Sequence, residues 1–374
     1  MQIMIYPRLL ESRIKSHLFK GKAVIIYGAR RVGKTTLVKK IQSEYPESLY
    51  LNCDEPDVRL ALTDKTSTEL LNYIGNKKLV IIDEAQRVKN IGLTLKLLVD
   101  NAPYLQVVAT GSSSFDLSNK ISEPLTGRAF EFHLGPFSIQ EAGSDPLERQ
   151  RLLETRLIFG LYPEIVINQN EKEETLKTIY KNYLYKDALE YQGLRNPELI
   201  EKLLVALALQ LGSEVSYTQL ATLLGVDQKT ISSYVRLLEQ AFVIFRLLPL
   251  SRNLRKEISK SRKIYFCDTG IRNAVINNFN PLSLRNDTGP LWENFVIAER
   301  LKRNEILGKH VNYYFWRTWD QKEVDYVEEE GGILSGWEIK WDGKNKKPPK
   351  AWIETYKNST YQIINKNNYF EFLV

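Results

Sequence analysis

The 374 residues include only two cysteines, Cys53 and Cys267. They lie far apart and match no metal-ligand spacing, which excludes a disulfide framework or a cysteine-built zinc site; two reduced, buried thiols are expected. Reduced thiols suit the cytoplasm. No apolar run approaches the roughly 20 residues of a bilayer span, and Arg8 and Glu11 interrupt the short apolar start. A soluble, cytoplasmic protein with no membrane partner is therefore expected. Internal repeats and low-complexity tracts are missing as well. What is present is the composition of an ordinary globular protein, with 43% hydrophobic and 26% charged residues. The chain is too long for one core, so two or three domains are expected. An excess of 52 basic over 45 acidic residues gives a net charge of +7 and a pI near 9.0, which permits nucleic-acid binding without demanding it.

The chain is organised around Ala23 to Val38. A β-branched apolar run ends in Gly28-Ala29-Arg30-Arg31-Val32-Gly33-Lys34-Thr35, and Thr36, Leu37 and Val38 open a helix. This is G-x-x-x-x-G-K-[ST] in its strand-loop-helix setting. Its glycines allow close backbone approach, so successive N–H groups and the positive helix N-terminus can surround phosphate oxygens. Lys34 would reach the β- and γ-phosphates and Thr35 would hold Mg²⁺. Leu79 to Gln86 is an unbroken apolar run ending in Asp83 and Glu84, the pattern of a central parallel strand with its ligand edge at the carboxyl end. Asp83 is placed to bind Mg²⁺ through water and Glu84 to polarise the attacking water. A third such strand, Leu105 to Thr110, leads into Ser112-Ser113-Ser114. Those hydroxyls read either as γ-phosphate or water ligands or as a plain helix cap. Arg128, before a strand over Ala129 to Leu134, is expected either to neutralise transition-state charge, in its own subunit or across to a neighbour in a homo-oligomer, or to form a surface salt bridge. Helices are expected over Ile14 to Lys20, from the loop to about Tyr45, and over Asp64 to Tyr73.

With these pieces assembled, Lys20 to Glu141 resembles the additional-strand, catalytic-glutamate branch of P-loop ATPases, within the AAA+ and STAND-like group. The resemblance implies nucleotide and catalytic roles for Lys34, Thr35, Asp83 and Glu84, puts Ser112 at the sensor position, and puts Arg128 in the Gly-Arg pair that many relatives carry. Relatives often have Asn at the sensor position, where this chain has Ser. No guanine-reading Asn-Lys-x-Asp tetrad is present, which favours ATP over GTP.

From Asp145 to Leu211 the apolar spacing becomes helical, with stripes such as Leu199, Leu203, Leu204 and Leu207, the pattern of a helical lid. Ser216 then caps a helix to Leu224, Gly225 turns, and Asp227 starts a helix to about Gln240, the spacing of a helix-turn-helix. Phe242 to Leu247 follows as a strand at the usual place of a wing. The second helix would expose Gln228, Lys229, Thr230, Ser233 and Arg236 to DNA; the competing reading is a packing module. The basic run from Arg252 to Lys263 reads as a solvated linker or a phosphate-contacting strip.

In the C-terminal third, Glu338 and Lys340 share one face of a strand, Asp325 lies on its hairpin partner, and Glu293 sits on a helix beside them. The set resembles the PD-(D/E)xK nuclease core over about Thr288 to Ile364. That resemblance implies Asp325 and Glu338 as ligands of a second Mg²⁺, Glu293 completing its surroundings, Lys340 on the attacking water, and Arg317 near a phosphate. A salt-bridged sheet face, or an inactive relic used for binding, is the alternative. The whole order looks like that of bacterial and archaeal ATPases with a C-terminal domain of formerly unknown function. The expected architecture is α/β: a P-loop ATPase sheet (residues 1–144), a helical lid (145–211), a winged helix-turn-helix (212–250) and a restriction-endonuclease-like domain (251–374). The leading expectation is an ATPase switching a DNA-binding middle and a nuclease-like end; the rival is a non-nucleolytic switch holding nucleic acid or a protein partner.

Overall fold

A computed structural model describes residues 6–112, 125–143, 145–168, 170–189, 196–250, 262–318, 320–343 and 347–374, with the backbone alone over 182–189. The chain divides into two compact units: Met1–Phe137 with Lys186–Gln192 and Gln240–Phe242, and Ser138–Tyr185 with Gly193–Glu239 and Val243–Val374. Among the described residues no helix is long and apolar enough to cross a membrane, and both cysteines are free.

The first unit is built on five strands, β1 (Ala23–Tyr27), β2 (Ser48–Asn52), β3 (Leu79–Asp83), β4 (Gln106–Gly111) and β5 (Ala129–His133). Their spatial order is β2-β3-β4-β1-β5, and every pairing is parallel. Every residue of β1, β3 and β4 is buried, as expected of a sheet covered on both faces. Because all five strands run one way, the ends carrying Gly28, Asp83 and Ser112 meet at one edge.

Local chemistry sets the helix bounds. The first helix is Leu10–Lys15, not Ile14 to Lys20: Leu10 and Ile14 share a buried face, and Phe19 and Gly21 take positive φ, which ends the turn region. The helix expected from Asp64 is Ser67–Ile74 instead. Asp64 has φ +52°, and Thr66 and Glu69 form a reciprocal capping box that starts the helix later. Pro56–Leu62 is a further helix with proline in its first turn.

The second unit holds a mixed six-stranded sheet, β6 (Ile244–Pro249), β7 (Lys263–Phe266), β8 (Asn312–Arg317), β9 (Glu323–Glu330), β10 (Ile333–Ile339) and β11 (Thr360–Ile364). Its order is β11-β10-β9-β8-β6-β7. Trp316, Val324, Val327, Trp352 and Tyr356 pack together on it. The strand expected over Phe242 to Leu247 runs from Ile244 and is no isolated wing strand: it pairs antiparallel with β7 and parallel with β8. Before it come the helices Pro197–Leu209, Tyr217–Leu224 and Gln228–Gln240. Gly225 turns between the last two at φ +67°, and Ile231, Val235 and Leu238 point inward. The stretch joining the first two meets β7: Val215 N donates to Arg262 O (2.7 Å) and Glu214 bridges Lys263.

Candidate functional site

At the ligand edge of the first sheet, the loop from Gly28 to Gly33 opens the helix Lys34–Ser43, with Gly33 at φ +95°. A Cβ on Gly28 would lie 2.1 Å from the Leu134 carbonyl oxygen, so no residue but glycine fits where β1 passes into the loop. Lys34 is buried and donates to the carbonyls of Gly28 (2.8 Å) and Ala29 (2.9 Å). Arg8 braces the loop from outside, donating to Val32 O (2.6 Å) and Gly135 O (2.8 Å).

Asp83, 2% exposed, accepts from three hydroxyls. Thr35 (2.8 Å) and Tyr50 (2.5 Å) donate to Oδ2, and Thr110 donates to Oδ1. Burial, then the hydrogen bond to Asp83, pushes the Tyr50 phenol above its ordinary range. Glu84 has φ +54°, a conformation costing a non-glycine residue roughly 1–2 kcal/mol. Its own N–H donates to Thr110 Oγ1 (3.2 Å) and helps hold that turn. Gln86 Nε2 donates to both Glu84 Oε2 (2.5 Å) and Ser112 Oγ (3.0 Å). The structure thus brings together Lys34, Thr35, Asp83, Glu84 and Ser112; Ser113 and Ser114 lie outside the described residues. Tyr50, Thr110, Gln86 and Arg8 carry no motif signal, since each meets the site only through folding.

Arg128 is elsewhere. It precedes β5, whose first residue pairs with Ala23 at the start of β1, while Tyr27 pairs with His133 at the other end. At about 3.3 Å per residue its backbone is ~16 Å from the loop, and its side chain pairs with Asp100 (2.7 Å). This corrects the expectation of a transition-state role within its own subunit.

The second unit gathers its own charges. Lys263, the last residue of the basic run, is 2% exposed. Its ammonium lies 3.1 Å from Glu293 Oε1, contacts Glu323, and lies 4.0 Å from Asp325 Oδ1. Tyr265 donates to Glu293 Oε1 (2.5 Å). Asp325 Oδ2 accepts from Ile339 N (2.7 Å) and Lys340 Nζ (3.2 Å), and Lys340 also pairs with Glu338 (3.4 Å). Tyr361 donates to Glu338 Oε2 (3.2 Å). Burial lifts the Glu293 carboxyl to about 7, with Lys263 pulling down and Asp325 pushing up. Burial opposes the charge on Lys263, but Glu293, Asp325 and Glu323 outweigh it and hold its pKa above the lysine range. Glu293, Asp325, Glu338 and Lys340 are therefore neighbours, but ammonium groups sit between the carboxylates expected to hold Mg²⁺. Among the described residues no group of three His, Cys, Asp or Glu side chains is placed to hold a metal ion. Arg317 pairs with Glu214 (2.8 Å). The basic run does not end in solvent, because Lys263 is the buried partner of this cluster; Arg252, Arg255, Lys256 and Lys260 lie outside the described residues.

The AAA domain family matches residues 20–143, and two domains of unknown function, DUF8612 and DUF4143, match 150–282 and 288–370. An uncharacterized protein of Mycobacterium tuberculosis is 30% identical over 346 residues, covering 90% of this chain and 74% of that one. The chain belongs to its family. An uncharacterized member from Methanocaldococcus jannaschii is 28% identical over 353 residues, covering 87% of this chain and 76% of that one. The Walker-type ATPase structure from Pyrococcus abyssi shares the fold, with TM-score 0.51 and 17% identity over 74% of this chain and 97% of that one. In this family member the first unit is a P-loop ATPase domain of the AAA type, and its five-stranded parallel sheet carries the loop.

In the same family member the helix Gln228–Gln240 exposes Gln228, Lys229, Ser233 and Arg236. Thr230 is instead turned back on the cap, where its N–H and its hydroxyl each donate to Asp227 at 2.8 Å.

Proposed function

We propose that this chain is a Mg²⁺-dependent ATPase whose nucleotide state sets the grip of a winged-helix segment on DNA, and that its C-terminal nuclease-like domain binds or docks without cleaving. The observation that carries the reading is the loop itself: a glycine that nothing else can replace, a left-handed glycine ahead of an uncapped helix N-terminus, and a buried lysine. These are the features a triphosphate needs. Gly28 to Thr36 would hold the phosphates, with Lys34 leaving the loop carbonyls for them. Thr35 and, through water, Asp83 would hold Mg²⁺, which when bound neutralises phosphate charge. Glu84 would accept the proton of the attacking water, with Gln86 and Ser112 fixing its carboxylate.

Support for the DNA reading comes from the order helix, bridge, helix, helix, strand, strand, in which the basic run joins β6 to β7, together with the exposed Lys229, Ser233 and Arg236. The non-cleaving reading of the last domain is favoured by Lys263, a further buried ammonium set against Glu293, Glu323 and Asp325.

The deciding experiment measures ATP turnover with and without single- and double-stranded DNA for wild type, Lys34→Ala and Glu84→Gln. Turnover lost in both variants and altered by DNA in wild type is expected; turnover unchanged in both variants would remove the catalytic assignment. Mn²⁺-dependent DNA cleavage abolished by Lys340→Ala would overturn the non-cleaving reading.

A further inference from the structure

Asp83 has about four acceptor directions on its carboxylate. Among the described residues three are filled, by hydroxyls from three different elements: Thr35 at the start of the loop helix, Tyr50 on β2 and Thr110 on β4. Among these residues one direction, on Oδ1, is left for a magnesium-bound water. Thr35 belongs to the loop motif, and Thr110 also holds the Glu84 turn. Tyr50 has no such second duty at the site. Its ring is itself fixed, with the Lys39 ammonium 5.0 Å from the ring centre, and β2 is locked in register beside β3, Tyr50 opposite Ile81 and Asn52 opposite Asp83. A carboxylate turns easily about its last torsion, which is broad and roughly two-fold. Two hydroxyls on Oδ2 and one on Oδ1 from separate elements remove that freedom.

We propose that Tyr50 is a positioning residue: its phenol locks the plane of the Asp83 carboxylate so that the remaining lone pair faces the magnesium water of bound Mg·ATP. The inference rests on the ATPase reading above. Tyr50→Phe keeps the ring, its packing and its cation contact, and removes only the hydroxyl. The loosened carboxylate then holds the metal's water less well, while the phosphate contacts of Gly28 to Thr36 are untouched.

Two measurements test this on the full chain, with thermal melting to establish that Tyr50→Phe is folded. One is turnover titrated with Mg²⁺ at saturating ATP. The other, free of turnover, is the Mg²⁺ dependence of binding of a fluorescent non-hydrolysable ATP analogue, repeated in EDTA. The expected result is a five- to tenfold rise in the half-saturating Mg²⁺ concentration in both assays. Affinity in EDTA should match wild type, and kcat should return to within about twofold at saturating Mg²⁺. A half-saturation within twofold of wild type, or a loss of kcat that Mg²⁺ does not restore, overturns the assignment. A wild type inert in both assays overturns the ATPase reading and this inference with it, an outcome distinct from an active wild type with an indifferent variant.

Discussion

Lys263→Met is the most exposing single change to the second unit. Methionine keeps the length of the side chain but deletes an ammonium lying 3.1 Å from Glu293, in contact with Glu323 and 4.0 Å from Asp325. At an effective dielectric near 20 the Glu293 and Asp325 separations correspond to gross attractions of about 4–5 kcal/mol each. Desolvation of the lysine offsets much of this in the intact cluster, but in the variant buried Glu293 loses its cation, while Asp325 keeps Lys340 (3.2 Å) and Glu323 keeps Arg317 (4.0 Å). The net loss expected for breaking a buried ion pair from one side is about 3–5 kcal/mol. Solvent screening gives little relief, because Lys263 is 2% exposed.

The loss carries a pH signature. Glu293 has its folded pKa raised to about 7 from 4.5, so the stability it contributes is fully present below 4.5 and is lost as pH rises toward 7. Without Lys263 the folded pKa rises further, and the loss extends to higher pH. Urea unfolding followed by tryptophan fluorescence should therefore show a deficit of about 3–5 kcal/mol at pH 8 that shrinks toward pH 5. A deficit under about 1 kcal/mol at pH 8, or one independent of pH, would refute the claim that Lys263 neutralises this cluster.

Glu293→Gln should flatten the wild-type decline in stability between pH 4.5 and 7, read by the same denaturation series; an unchanged slope would assign the decline to another group. Gly28→Ala must push a Cβ against a carbonyl oxygen 2.1 Å away, so a stability loss of about 1–3 kcal/mol and loss of nucleotide binding are expected by melting and calorimetry. Arg128→Ala should leave kcat unchanged in dilute protein and cost less than about 1 kcal/mol; a large kcat loss that depends on protein concentration would instead place Arg128 in a neighbouring copy's site. Arg236→Ala should weaken DNA binding for all sequences alike and lower the salt slope by about one, measured by anisotropy at several salt concentrations; an unchanged slope would remove Arg236 from the interface.

The candidate phosphate site is largely legible in the sequence because its chemistry is local. Gly28 to Thr36 are consecutive, and Asp83 and Glu84 close one apolar run, so residue type and strand pattern place them together. The partners that complete the site were not legible. Tyr50 reaches Asp83 across 33 residues and Gln86 reaches Ser112 across 26, and only the strand order β2-β3-β4-β1-β5 makes them neighbours. Arg128 misled because its neighbour in sequence, β5, does touch β1, but at the end remote from the loop. The short hairpin pattern did place Asp325 beside Glu338 and Lys340. Lys263 closes a run of basic residues that looks solvated, and nothing nearby in the chain announces Glu293, Glu323 and Asp325 as its partners. Helix starts slipped where a cap, such as Thr66, outweighed apolar spacing.

The four-residue strand β7 serves two masters. Along its backbone it is bridged to Glu214, with Val215 bonded to Arg262 just before it, at the root of the paired helices; from its first side chain hangs the ammonium set against three acids. One residue, Lys263, thus stands in both the backbone bridge to Glu214 and the charge cluster, so a substitution there touches the two at once.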